Sequence, residues 1–238
     1  MVNQSASTKN SLLKTHPLYL DLISIHGLKQ LFIWLVNLMF PNSCLHCGQG
    51  KLILCPKCLN SIPYLTWQIP INFPDHNLDW QQSACSFEKP ISTLIHALKY
   101  EGIQEISSLL AAIVYKSVSF PPIDLITAVP LHFHRQRNRG FNQSALIGKQ
   151  LSQFLKVPYK EILVRARDTP KQAQQATKED RAKNILGAFS CQYKFRQPLK
   201  IMVVDDVLTT GATTTEAAKA LKQNGASWVG VVTVAREK

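Results

Sequence analysis

The chain has 238 residues, 45% of them hydrophobic, and 27 basic against 15 acidic residues give it a formal net charge of +12. That length holds one α/β domain with a small appendage. The charge favours a polyanionic partner, whether nucleic acid, acidic membrane or a phosphorylated small molecule, unless it only keeps the protein in solution. No apolar run reaches the roughly 20 residues of a membrane span. The N-terminus lacks the basic stretch, apolar core and small-residue cleavage site of a leader, so a cytoplasmic protein is expected.

Residues 1–16 are polar. One or two helices are expected between Leu18 and Phe40, closing with the apolar run Leu31–Phe40 and stopped by Pro41. Two C-x-x-C pairs follow, Cys44 with Cys47 and Cys55 with Cys58. The two-residue spacer lets both sulfurs of a pair reach one ion, so four thiolates can close a tetrahedral zinc site with no place for a catalytic water. The alternative is two disulfides, which a reducing compartment disfavours. His46 reads as a bystander. Cys85 and Cys191 stand apart and are expected to be small buried apolar side chains. Three prolines (Pro63, Pro70 and Pro74) mark an irregular connection.

Beyond it the pattern alternates. Ala84–Phe87 reads as a short strand. Pro90–Tyr100 is expected to be helical with Ile91, Leu94, Ile95 and Leu98 on one face, as is Ile106–Val118. Asp124–Val129 suits a buried parallel strand and Phe141–Leu155 a helix. Ile162–Arg167 and Ala188–Tyr193 read as strands around the polar stretch Asp168–Asn184. Leu199–Val204 (strand), Thr214–Lys222 (helix) and Trp228–Val234 (strand) complete the series. Strands alternating with helices predict a parallel sheet covered on both faces. The expected division is 1–40, a polar tail and apolar helix; 41–66, a zinc module; and 67–238, the α/β domain.

One segment carries specific chemistry. The strand Ile201-Met202-Val203-Val204 leads to Asp205-Asp206, then Val207-Leu208-Thr209-Thr210-Gly211-Ala212-Thr213 and a helix. Open α/β sheets bind ligands outside the carboxyl ends of their strands, and a helix N-terminus receives anions. Gly211 allows close backbone approach, and the threonines add hydroxyl donors. Thr213 and Glu216 have the spacing of a capping box. Two adjacent carboxylates suit vicinal sugar hydroxyls better than phosphate, with a divalent ion moderating their repulsion.

This motif resembles the 5-phosphoribosyl-1-pyrophosphate (PRPP) signature of type I phosphoribosyltransferases. Val129-Pro130-Leu131, Arg135, the run Arg139-Gly140-Phe141-Asn142-Gln143, Arg165, Thr169-Pro170, Gln172, Arg181, Asn184, Gly187-Ala188-Phe189 and Lys99-Tyr100 extend the likeness. With the four-cysteine module, the chain from about residue 38 to the end resembles the ComF family. The resemblance implies an α/β type I phosphoribosyltransferase fold, a parallel sheet flanked by helices, with a small N-terminal zinc ribbon or knuckle.

It also implies roles. Asp205 and Asp206 would hold the ribose 2- and 3-hydroxyls, and Thr209, Thr210, Gly211, Ala212 and Thr213 the 5-phosphate. Arg135, Arg137 and Arg139, in a loop from Pro130 to Gly140, are candidates to neutralise a diphosphate, or they form a solvated basic loop. The segment Lys171–Asn184 would correspond to a closing lid, or is an ordinary surface loop. Lys99 is a phosphate contact or a helix-end charge. The implied function is PRPP binding, with Mg2+, in support of DNA uptake during natural transformation. One alternative is an active phosphoribosyltransferase releasing pyrophosphate, with Asp205 and Asp206 as its catalytic residues. Thr209 stands where several purine-salvage relatives of that fold carry an acid, which argues against purine bases as acceptors. A second alternative is a protein that binds single-stranded DNA, stacking bases on Trp67, Trp80 or Phe133, or a scaffold for a competence helicase.

Overall fold

The computed structural model describes residues 43–65, 77–165 and 185–237. The apolar run Leu31–Phe40, Trp67 and the segment Lys171–Asn184 lie outside them.

The elements are α1 (Pro56–Asn60), β1 (Trp80–Ser86), α2 (Ile91–His96), a π-helical turn (Ala97–Glu101), α3 (Ile106–Ser117), β2 (Leu125–Ala128), α4 (Phe133–Arg139), α5 (Gln143–Leu155), β3 (Leu163–Arg165), β4 (Phe189–Cys191), β5 (Lys200–Leu208), α6 (Ala212–Gln223) and β6 (Trp228–Arg236). Four strands form a parallel sheet in the order β1-β6-β5-β2, and β3 pairs antiparallel with β4 in a separate ladder. The alternating α/β pattern therefore builds the expected covered parallel sheet.

Strand periodicity sorts the core. Met202 and Val204 of β5 with Val232 and Val234 of β6 join Leu94, Leu98, Leu110, Ile147 and Leu151 on one face. Ile201 and Val203 with Val229 and Val231 join Ala217, Ala218 and Leu221 of α6 and Phe189 of β4 on the other. Cys44, Leu54, Cys58 and Ile62 belong to the first of these clusters, so the cysteine module shares a core with the sheet. Pro63 and Leu65 reach it too: the Leu65 N–H donates to the Ala84 carbonyl and the Ser86 N–H to the Pro63 carbonyl.

Several boundaries move for a physical reason. The strand expected to stop at Val204 continues to Leu208, because β6 accompanies it as far as the pair Leu208 and Arg236. Asp205 and Asp206 consequently lie within β5 rather than beyond its end. The short strand expected at Ala84–Phe87 begins at Trp80, again paired along β6. The helix expected over Pro90–Tyr100 changes to π geometry at Ala97 and ends at Gly102, with φ 72°. Part of the expected loop Pro130–Gly140 is helix α4, whose first turn is capped by the His132 side chain accepting from the His134 N–H. Helix α6 starts after Gly211, at φ 82°, and not through a Thr213–Glu216 capping box. Glu216 is engaged elsewhere: its Oε2 accepts from the Gly187 N–H at 2.7 Å. Cys85 is buried as expected, whereas Cys191 is half-buried, its thiol directed to the Tyr193 carbonyl.

Candidate functional site

The site is built on β5, which β6 flanks on one side and β2 on the other. Asp205 Oδ1 accepts from the Ser144 hydroxyl at 2.8 Å and from the Asp206 N–H at 2.9 Å. Burial, then the Asp206 charge, pushes the Asp205 carboxyl up to about 7, against the opposing pull of Ser144, the Asp206 amide and Lys99. Asp206 is buried, and its Oδ2 lies 2.8 Å from Lys99 Nζ. The repulsion between neighbouring carboxylates is thus already moderated by a side chain of this protein. Lys99 lies in the last turn of the π-helical element, as a helix-end charge would, and from there it serves as the counter-ion of Asp206.

After Leu208 the chain turns in three residues, Thr209, Thr210 and Gly211, with both threonines exposed. The positive φ of Gly211 sends the backbone straight into α6. Thr214 Oγ1 donates to the Gly211 carbonyl at 2.8 Å and the Thr215 N–H donates to it at 2.9 Å, fixing the first turn. The Ala212 N–H points to Thr210 Oγ1 at 3.4 Å. First-turn amides of a helix have no acceptor within the helix. A turn of this kind therefore offers N–H and hydroxyl donors at the positive end of a twelve-residue helix, as an anion requires.

A third segment joins these two. Asn142 caps α5, its Oδ1 accepting from the N–H groups of Ser144 and Ala145 while its Nδ2 donates to the Val129 carbonyl. This pins the start of α5 to the end of β2 and aims Ser144 at Asp205. Arg139 donates to Gln143 Oε1, and its guanidinium lies 5.4 Å from the centre of the Tyr100 ring. These contacts, joined by the peptide links Gln143-Ser144 and Lys99-Tyr100, close a circuit: Arg139, Gln143, Ser144, Asp205, Asp206, Lys99, Tyr100 and back to Arg139.

The structure thus brings Arg139 to the acidic pair through its neighbours, and leaves Arg135 and Arg137 on exposed turns of α4. Sequence reasoning missed Ser144, the residue directly after the run Arg139–Gln143. Trp80 packs with its ring centre 6.4 Å from those of Phe120 and Trp228, so it is a structural aromatic. Phe133 is exposed.

A separate cluster lies in the N-terminal module. The sulfurs of Cys44, Cys47, Cys55 and Cys58 are all within 4.8 Å of one another, a donor set able to hold a metal ion. Burial pushes the Cys44 thiol up, but the N–H groups of Cys55, Cys47 and His46 and the Cys47 thiol reverse this and bring it down to about 6. Cys58 is pushed up to about 12 by burial, by hydrogen bonds shared with Cys55, Cys47 and Cys44, and by the Cys44 charge. Four sulfurs this close ionise together only around a cation, so the residues fit a metal.

No helix among the described residues is long and apolar enough to cross a membrane. No family model matches the chain. Among solved structures it is similar to the glutamine PRPP amidotransferase from B. subtilis complexed with ADP and GMP (19% identity, 53% of this chain and 25% of that one, TM-score 0.38). It is also similar to adenine phosphoribosyltransferase from Thermoanaerobacter pseudethanolicus (15% identity, 60% and 72%, TM-score 0.37). Curated relatives are more similar in sequence. The DNA utilization protein YhgH of Salmonella typhi is 32% identical over 202 residues, 79% of this chain and 86% of that one. Competence protein F of Haemophilus influenzae is 30% identical over 209 residues, 81% and 84% respectively. With relatives this similar over most of both chains, and the parallel sheet and four-cysteine module in place, the chain belongs to the ComF family, whose named members are DNA utilization and competence proteins.

Proposed function

We propose that this protein binds PRPP, or a related ribose phosphate, at the carboxyl end of β5 and serves the handling of DNA taken up in natural transformation. The observation that carries the reading is the three-residue turn 209–211 between a strand bearing Asp205 and Asp206 and the N-terminus of α6. In this reading Thr209, Thr210, Gly211, Ala212 and Thr213 cradle the 5-phosphate with backbone amides and hydroxyls. Asp205 and Asp206 accept from the ribose hydroxyls: a carboxylate has about four lone-pair sites, so each keeps capacity beyond its present partners. Arg139, with Arg135 and Arg137 further out, neutralises the diphosphate. Mg2+ bound with PRPP would supply charge stabilisation at that diphosphate.

The names of the relatives support the DNA half of the reading. Zinc is the ion that four thiolates select for a closed structural site. Thiols kept for a metal suit the reducing cytoplasm. We divide the chain near residue 66, between the metal module and the phosphoribosyltransferase-like domain.

The test is calorimetry of the zinc-loaded protein with PRPP and Mg2+. Binding is expected, weakened about tenfold or more in Asp205→Asn and Asp206→Asn. Absence of both heat and thermal stabilisation in the parent protein would sink the reading. Release of pyrophosphate on adding bases or amines would make it an active transferase, with the same substitutions abolishing turnover.

A second reading has an observation of its own. None of the seven residues of α4 is buried, and the helix exposes Phe133, Arg135 and Arg137 together. Cations beside an uncovered ring suit single-stranded DNA. Affinity for a single strand should then fall steeply with salt, and a flat response would remove this reading.

A further inference from the structure

We propose that Lys99 is a tethered cation which stands where a divalent ion would otherwise sit on the acidic pair, so that Asp205 and Asp206 take a ribose with no metal between them. The inference rests on the ribose-phosphate reading for its ligand, and on the structure alone for its cation.

Lys99 Nζ lies 2.8 Å from Asp206 Oδ2, with the lysine side chain 20% and the aspartate side chain 7% exposed. This is a covered ion pair, in which both partners are positioned by buried structure. The π-helical turn that carries Lys99 is fixed by Ala97 and Leu98, both fully within the core, and is ended by the left-handed Gly102. Such departures from α geometry re-aim a side chain at a defined point.

On the other carboxylate, Oδ1 of Asp205 already accepts from the Ser144 hydroxyl and the Asp206 amide. Mg2+ demands near-octahedral oxygens at about 2.0–2.1 Å and gives up its water reluctantly. On the remaining oxygens it would share the pair with a covered ammonium that repels it, and to take the engaged ones it would have to expel that ammonium or compete with the two hydrogen bonds. Sugar hydroxyls make no such demand. They are neutral donors that can use the remaining oxygens while Lys99 stays, and an ammonium has three N–H groups, so Lys99 can also meet the ligand. The need for a divalent ion then belongs to a diphosphate, and a ribose monophosphate requires none.

The experiment has two arms on the full-length, zinc-loaded chain. In the first, Mn2+ is titrated without ligand and read by electron paramagnetic resonance. The parent protein is expected to bind no Mn2+ at the pair. Lys99→Met should gain a site at least about tenfold tighter than any in the parent. Lys99→Met combined with Asp206→Asn should lose it, and Lys99→Arg, which keeps the charge, should behave as the parent.

In the second arm, ribose 5-phosphate is titrated by calorimetry in metal-depleted buffer with and without added Mg2+. The parent affinity should be the same in both, and Lys99→Met should weaken about tenfold without Mg2+ and recover with it. Mn2+ bound equally by the parent and Lys99→Met overturns the inference, as does ribose 5-phosphate binding that needs Mg2+ in the parent. Should the Mn2+ arm come out as expected while no ribose phosphate binds, Lys99 keeps its role and the ligand reading falls instead.

Discussion

At the scale of single residues, the site is an arrangement of charge kept away from water. Asp205, raised from 3.8 to about 7, holds a proton in the folded chain that the unfolded chain releases. The stabilisation linked to that proton is complete below pH 3.8 and is lost as pH rises through about 7. Melting temperature measured from pH 4 to 8 should therefore fall more steeply with pH in the parent protein than in Asp205→Asn. Parallel curves would show that Asp205 ionises normally. Asp205 and Asp206 were legible from their order before a threonine- and glycine-rich turn. Ser144 was not, because its partner lies 61 residues further on and nothing local in the sequence marks a hydroxyl aimed across the sheet. Lys99 was visible as a charge, but its target depends on a π-helical register that hydrophobic spacing does not reveal.

At the scale of elements, the turn between β5 and α6 is where one backbone angle decides the geometry. Gly211 sits at φ 82°, a region that costs a side-chain-bearing residue about 1–2 kcal/mol and a β-branched one more. Gly211→Val should lower stability by at least that amount and, if PRPP binds as proposed, weaken it about tenfold or more in the same calorimetry, by moving the amides at the start of α6. Retained affinity would place the phosphate elsewhere. The existence and type of most elements followed from their apolar spacing. Their ends did not, because β5 and β1 are prolonged by pairing with β6, a neighbour that sequence periodicity cannot supply. Helix α4 was hidden for the opposite reason: it buries nothing, so it has no apolar stripe to be found.

For the whole molecule, the cysteine cluster and the sheet are not independent. Cys44, Leu54, Cys58 and Ile62 share a core with Ile91, Leu94 and Val234. Stripping metal with a strong chelator should accordingly lower the melting temperature of the entire chain, followed by far-ultraviolet circular dichroism, since metal binding and folding are coupled. An unchanged melt would rule out a structural metal. The four-cysteine spacing announced the cluster, but not that it docks on the main core, since that contact is made by side chains with no motif of their own. The position of β5 has a further consequence. Its residues Ile201 to Val204 are paired on both sides, with Leu125 to Ala128 and with Val229 to Val232. In heavy water their amides should be among the last to take up deuterium, while residues 209–211 equilibrate early, as mass spectrometry of peptic fragments would show. The candidate site would then have a floor that hardly breathes and a rim that opens freely.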